Sequence, residues 1–151
     1  NFVSILVIAT LNPTIARSIA SRIDLTTQSE DLTARIDFDN SGVPSAVAFD
    51  PWGVYAFVAL EASRAVAVVD VWNHREILRF EVGRAPQGLD VSPDGTTLFV
   101  HNFMDRSVSI HDITSLIGGL SSPPPAPVVV ASVTTVKSGT CSGLRRSIAG
   151  W

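Results

Sequence analysis

Eleven residues beginning at Val43, Val-Pro-Ser-Ala-Val-Ala-Phe-Asp-Pro-Trp-Gly, return forty-two residues later, from Ala85, as Ala-Pro-Gln-Gly-Leu-Asp-Val-Ser-Pro-Asp-Gly. The spacing holds without a gap over the following stretch: Pro44 maps on Pro86, Pro51 on Pro93, Gly53 on Gly95, Phe57 on Phe99, Val66 on Val108 and Asp70 on Asp112. A unit of this length cannot bury its own faces and must stack on copies of itself. A period of roughly 40 to 50 residues made of short strands and turns marks the blades of a β-propeller.

Inside the second copy, Gln87 to Val91 reads as a strand ended by Ser92-Pro93-Asp94-Gly95. Proline presets φ for a type I turn, aspartate accepts local backbone hydrogen bonds, and glycine takes the left-handed position that a Cβ penalises. Thr97 to Asn102 and Ser107 to Asp112 follow as strands, with a turn through Phe103 to Arg106 between them. The first copy repeats the order: Ser45 to Phe49, a turn at Asp50-Pro51-Trp52-Gly53, Val54 to Ala59, a turn through Glu61 to Arg64, and Ala65 to Asp70. Glu76 to Val82 is the fourth strand, and four strands make one blade.

The flanks echo the pattern more weakly. Ala20 to Leu25 reads as a third strand and Ala34 to Phe38 as a fourth, with Phe38 forty-two residues before Phe80. Beyond Asp112, Gly118-Gly119 and Ser121-Ser122-Pro123-Pro124-Pro125-Ala126-Pro127 break the sheet pattern, because proline donates no ladder hydrogen bond. Val128 to Val136 then supplies a fourth strand, so residues 1–136 are expected to be blades and 137–151 a loose tail. The expected architecture is all-β: incomplete propeller blades of four antiparallel strands, about three to three and a half of them in 151 residues. Closed propellers use about four to eight blades. Further blades, a second copy or a partner chain are therefore expected to close the ring, since open flanks expose apolar faces and strand edges. A self-contained sandwich of the same strands is the alternative.

Charged residues make up only 17% of the chain, below the roughly 25% of ordinary soluble domains, as suits sheets covered on both faces. A net charge of -3 with Arg145 and Arg146 as the single adjacent basic pair excludes nucleic acid as a main partner. Phe2 to Leu11 is too short for the roughly 20 apolar residues of a membrane span. It reads as a buried strand, with a clipped signal or anchor remnant as the alternative. One cysteine, Cys141, leaves no disulfide within the chain.

Leu98-Phe99-Val100-His101-Asn102, standing between Pro93-Asp94-Gly95 and Ser107-Val108-Ser109-Ile110-His111-Asp112, resembles the YVTN-type β-propeller repeat. The resemblance covers Val43 to Asp112 and departs in the first copy, where Ala56-Phe57-Val58-Ala59-Leu60 replaces the motif and Trp52 stands at the turn aspartate. It implies a bacterial or archaeal protein, secreted or periplasmic, that works as a non-catalytic binding or scaffolding module. Its partners would be a protein, a glycan or a small molecule at the blade turns. Relatives also imply an alternative, the propeller part of a periplasmic redox enzyme with a haem c or d1-haem site. No Cys-x-x-Cys-His occurs here, so no cofactor is expected in this chain itself.

Arg64 and Arg106 recur forty-two apart, with Arg84 near the same turns, and guanidinium groups repeated on adjacent blades suit an anionic ligand. With Trp52 and His101 they form the candidate contact set at the blade rim. His101 and His111 fall on neighbouring strands, but the expected register keeps them apart along the ladder and no third ligand completes a metal site. His74 is expected in solvent. Asp50, Gly53, Asp70, Asp94, Gly95 and Asp112 are expected to hold turns, not to catalyse. No set of residues assembles a catalytic centre.

Overall fold

The computed structural model describes residues 3–5, 18–39, 42–117 and 128–134. Strands β1 (Val3–Ile5), β2 (Ile19–Asp24) and β3 (Ser29–Asp37) form the first sheet. The second contains β4 (Pro44–Phe49), β5 (Tyr55–Leu60), β6 (Ala65–Asp70) and β7 (Arg75–Glu81) in sequence order. The third runs β8 (Pro86–Val91), β9 (Thr97–Asn102), β10 (Ser107–Asp112) and β11 (Val128–Thr134), with the short helix α1 (Thr114–Ile117) between the last two. All neighbouring strands are antiparallel. These are successive blades of an incomplete β-propeller, and the first strands of the second and third blades, β4 and β8, pack against each other.

The period extends to single hydrogen bonds. Glu61 N donates to Val43 O at 2.9 Å and Phe103 N to Ala85 O at 2.9 Å; Val71 N to Val54 O at 3.0 Å is matched by Ile113 N to Thr96 O at 2.8 Å. A register shift after Pro44 returns after Pro86, and Ser45 Oγ donates across the blades to Pro86 O at 2.6 Å.

Two apolar seams hold the blades together. Between the first and second blades lie Ile36, Phe38, Ala56, Val58, Leu60, Ala67 and Val69; between the second and third lie Phe57, Val66, Val68, Phe80, Leu98, Val100, Ile113 and Leu116. The second blade is therefore covered on both faces, which is why Tyr55-Ala-Phe-Val-Ala-Leu60 reads as an unbroken apolar run instead of an alternating one. Phe38 and Phe80 play the same part, one in each seam.

The sequence reading assigned no helix after Asp112. Asp112 Oδ1 accepts Thr114 N at 2.8 Å and starts one helical turn, which tucks Ile113 and Leu116 into the second seam. The Pro-rich stretch 121–127, the tail 137–151 and most of the apolar run 2–11 lie outside the described residues. No helix among the described residues is long and apolar enough to cross a membrane.

Candidate functional site

Strand direction sorts the turns into two ends. The β4–β5 and β6–β7 turns emerge at one end of the second blade, and the β5–β6 turn and the β7–β8 connection at the other. Trp52 stands at the first end; Arg64, Arg84 and Arg106 stand at the second. The expected contact set is thus split. Trp52 does not share a rim with Arg64 and Arg106, because a hairpin reverses direction once between them.

At the arginine end, Arg64 and Arg106 close equivalent four-residue turns with φ of 54° and 50°, the left-handed region where non-glycine residues are uncommon, and both are exposed. Arg84 donates from its backbone N at 2.6 Å to Asp105 Oδ2 and from Nε at 2.6 Å to Oδ1. These bonds, the backbone one foremost, hold the Asp105 carboxyl below the usual range, and the Arg64 charge adds to the effect. Phe103 is 57% and Met104 62% exposed on the same turn, and the His101 ring meets Phe103 edge-on at 6.3 Å.

At the tryptophan end, carboxylates organise the turns. Asp70 Oδ1 accepts Trp72 N at 3.0 Å and Asn73 N at 2.9 Å, Asp50 Oδ1 accepts Tyr55 N at 2.8 Å, and Asp94 Oδ1 accepts Thr96 N at 3.1 Å. Gly53 and Gly95 take φ of 67° and 69°. The Trp52 ring lies over Gly95 of the next blade, where an added Cβ would run into it, yet Trp52 keeps 56% of its surface exposed and Trp72 75%.

The three histidines are dispersed. His101 pairs with Val108 and His111 with Leu98, and the two rings lie on opposite faces of the third blade: His101 is exposed, His111 fully buried. His74, expected in solvent, is instead half-buried, because its turn carries it to the first blade, where Arg22 donates to its Nε2 at 3.3 Å. Arg22 also pairs with Asp31. No cluster of three metal-ligating side chains exists among the described residues.

Sequence reasoning missed a polar chain in the second seam. Asn102 Nδ2 donates to Ser109 Oγ at 3.1 Å and meets Ser107 Oγ at 3.5 Å, while His111 Nε2 bonds Ser109 Oγ at 3.0 Å. Asn102 Oδ1 and His111 Nδ1 are buried with no hydrogen-bond partner among the described residues. Burial pushes the His111 imidazole down to about 4, so it is neutral at pH 7. The signal was present in the repeat: the counterparts forty-two residues earlier are Leu60, Ala65, Ala67 and Val69.

A cleft of about 50 Å³ separates the first two blades, lined by Ala20, Ala34, Val47, Phe49 and Ala56 among others, with Arg22 and His74 at its border. Its lining is apolar apart from Ser21, Arg22 and His74.

No protein-family model and no curated protein matches the chain. Solved structures do. A hydrazine synthase of Kuenenia stuttgartiensis is 29% identical over 64% of this chain and 27% of its own, with a TM-score of 0.55. The β-propeller domain of Cps50 (Swd1) from Myceliophteria thermophila is 14% identical over 78% of this chain and 39% of its own, with a TM-score of 0.64. A chain of the nidogen–laminin complex is 15% identical over 65% of this chain and 35% of its own, with a TM-score of 0.53. The fold is that of a β-propeller, and the chain spans well under half the length of each of these structures.

Proposed function

We propose that these blades, of the YVTN repeat type, serve as a non-catalytic binding or scaffolding module of a cell-envelope or secreted protein. The observation that carries this reading is the arginine end of the second and third blades. There, two guanidinium-bearing residues repeat at equivalent turn positions, beside the exposed Phe103 and Met104 and the adjoining His101. Arginine and large apolar groups on rigid turns are the usual energetic centres of contact surfaces. The nidogen–laminin likeness supports a protein partner for such a surface. Trp52 and Trp72 are exposed at the far end, outside this contact set.

The test begins with a partner identified by cross-linking in the envelope fraction. The double variant Arg64→Ala/Arg106→Ala is expected to weaken its binding at least tenfold, which is about 1.4 kcal/mol. An unchanged Kd rejects the assignment of the site. A second reading, the propeller part of a periplasmic redox enzyme with a haem c or d1-haem site, takes its support from the likeness to the dihydro-haem d1 dehydrogenase NirN, 17% identical over 75% of this chain with a TM-score of 0.51. A parent sequence that carries Cys-x-x-Cys-His in a neighbouring domain favours that reading, and one with only further repeats favours the scaffold.

A further inference from the structure

The arginine-end turns of the second and third blades share a backbone pattern and differ in what fastens them. On the third blade, the Arg84 backbone and side chain grip Asp105 at 2.6 Å each, and Met104 N donates to Arg84 O at 3.2 Å. Beneath this clamp lies Asn102, fully buried, the last residue of β9 and the register partner of Ser107, the first of β10. Its amide ties the base of the hairpin to β10 through Ser109 Oγ at 3.1 Å and Ser107 Oγ at 3.5 Å. The same amide rests against Gly83, so closely that a Cβ there would fall 2.5 Å from Asn102 Cγ and 2.8 Å from Nδ2. Gly83 immediately precedes Arg84, so the amide touches the backbone that carries the clamp. One period earlier the sequence has none of these parts: Leu60 stands for Asn102, Ala65 and Ala67 for the serines, Gly42 for Arg84 and Ser63 for Asp105. Glu61 and Ala62 stand there for the exposed Phe103 and Met104.

We propose that Asn102, seated against Gly83, is a positioning residue of the arginine-end contact surface. It locks the Phe103–Arg106 turn to the connection between the second and third blades, so that Phe103 and Met104 meet a partner already fixed in place. Glycine is needed at 83 for this close approach, not for a left-handed backbone angle. A leucine would fill the seam as Leu60 does in the other one, without leaving a buried oxygen unpaired. What the amide adds is direction, because its hydrogen bonds hold one orientation and packing alone does not. A turn fixed before the encounter spares the partner the cost of ordering it. The third-blade turn is therefore the anchor of the surface, and Arg64 of the second blade its margin. The purpose of the lock rests on the contact reading above, whereas the lock itself does not.

Hydrogen exchange followed by NMR on the full chain tests the lock by comparing two sets of turn amides. Phe103, Met104 and Arg106 donate on the third-blade turn; Glu61, Ser63 and Arg64 donate on the second-blade turn. Asn102→Leu, which installs the residue of the preceding blade, should speed exchange of the first set at least about tenfold and leave the second set unchanged. A general loss of stability would speed both sets alike, so the contrast separates positioning from support of the fold. Gly83→Ala should act in the same way by pushing a Cβ into the amide, and Asn102→Leu carries the test if that variant does not fold. Wild-type exchange at the third-blade turn in a folded variant, or equal acceleration of both sets, overturns the proposal. With the cross-linked partner in hand, a variant whose turn has loosened should bind at least about tenfold more weakly, through faster dissociation. A wild-type Kd for that variant overturns the positioning role. An unchanged Kd for Arg64→Ala/Arg106→Ala rejects the contact reading, and unchanged exchange in Asn102→Leu rejects the lock, so the two failures are distinguishable.

Discussion

The seam between the first and second blades and the seam between the second and third are built on the same backbone repeat and filled with different chemistry. Leu60, Ala65, Ala67 and Val69 in one become Asn102, Ser107, Ser109 and His111 in the other, at identical steps along identical strands. Leu60, Ala67 and Val69 of the first set meet Ile36 and Phe38 in an apolar layer. The second set forms a hydrogen-bonded chain under Phe80, whose ring lies 5.1 Å from that of His111. A blade repeat thus constrains turn geometry and strand register tightly, and leaves the filling of each seam open. The polar filling has a cost, because a buried polar atom without a partner loses its hydration for nothing, and the second seam holds two such atoms.

The largest expected effect tests whether the two seams melt as one. Phe57→Ala in the second seam and Phe38→Ala in the first should each cost about 3–5 kcal/mol, since both rings are almost fully buried. If the blades form one cooperative unit, urea unfolding followed by tryptophan fluorescence and by circular dichroism shows a single, shifted transition for either variant. Two transitions would mean that the seams are independent.

Acid should separate the seams next. Because the folded-state value for His111 is about 4, below the ordinary histidine value near 6.5, the unfolded chain binds the extra proton first. The contribution of His111 is therefore complete above about pH 6.5 and falls away as pH drops toward 4. Burial is the cause of the shift, and Asp112, the next residue along, sits on the other face of β10. His111→Val, which installs the residue of the first seam, should remove roughly 2 kcal/mol of acid-induced loss across that window. Urea midpoints from pH 7.5 to 4 check it, and parallel curves for the two proteins would refute it. Below pH 4 the turn carboxylates take over in both proteins, because hydrogen bonds lower Asp94 and Asp112 from their ordinary values.

The smallest effect lies in a turn, away from both seams. Gln28 has φ of 53° and is exposed, so Gln28→Gly relieves left-handed strain and touches neither interface. Set against the greater unfolded-state entropy of glycine, a net gain of about 0.5 kcal/mol is expected, visible as a slightly raised thermal midpoint. A loss would show that the turn, and not only the seams, is tuned.

The order of strands was legible because a turn is a local event. Pro93-Asp94-Gly95 and Pro51-Trp52-Gly53 fix their own φ angles and need no distant partner, so Thr97 to Asn102, Ser107 to Asp112 and Ala65 to Asp70 fall where the spacing puts them. The helical turn after Asp112 was not legible, because four residues carry too little periodicity to stand out. The candidate site was legible residue by residue and not as a set. That Arg64 and Arg106 recur follows from spacing alone, but that Trp52 lies at the far end follows only from counting reversals of the chain.

By itself, then, the sequence determined a repeating unit, its four strands and its turns, since these depend on contacts within a few residues along the chain. Tertiary structure alone decided which face of each strand meets which neighbour. It put His111 in the dark and His101 in solvent, brought His74 onto Arg22, and opened an apolar cleft at Phe49 between the first two blades. Those outcomes depend on how whole sheets stack, and stacking is set by surfaces that are far apart in the chain and meet only after each blade has formed.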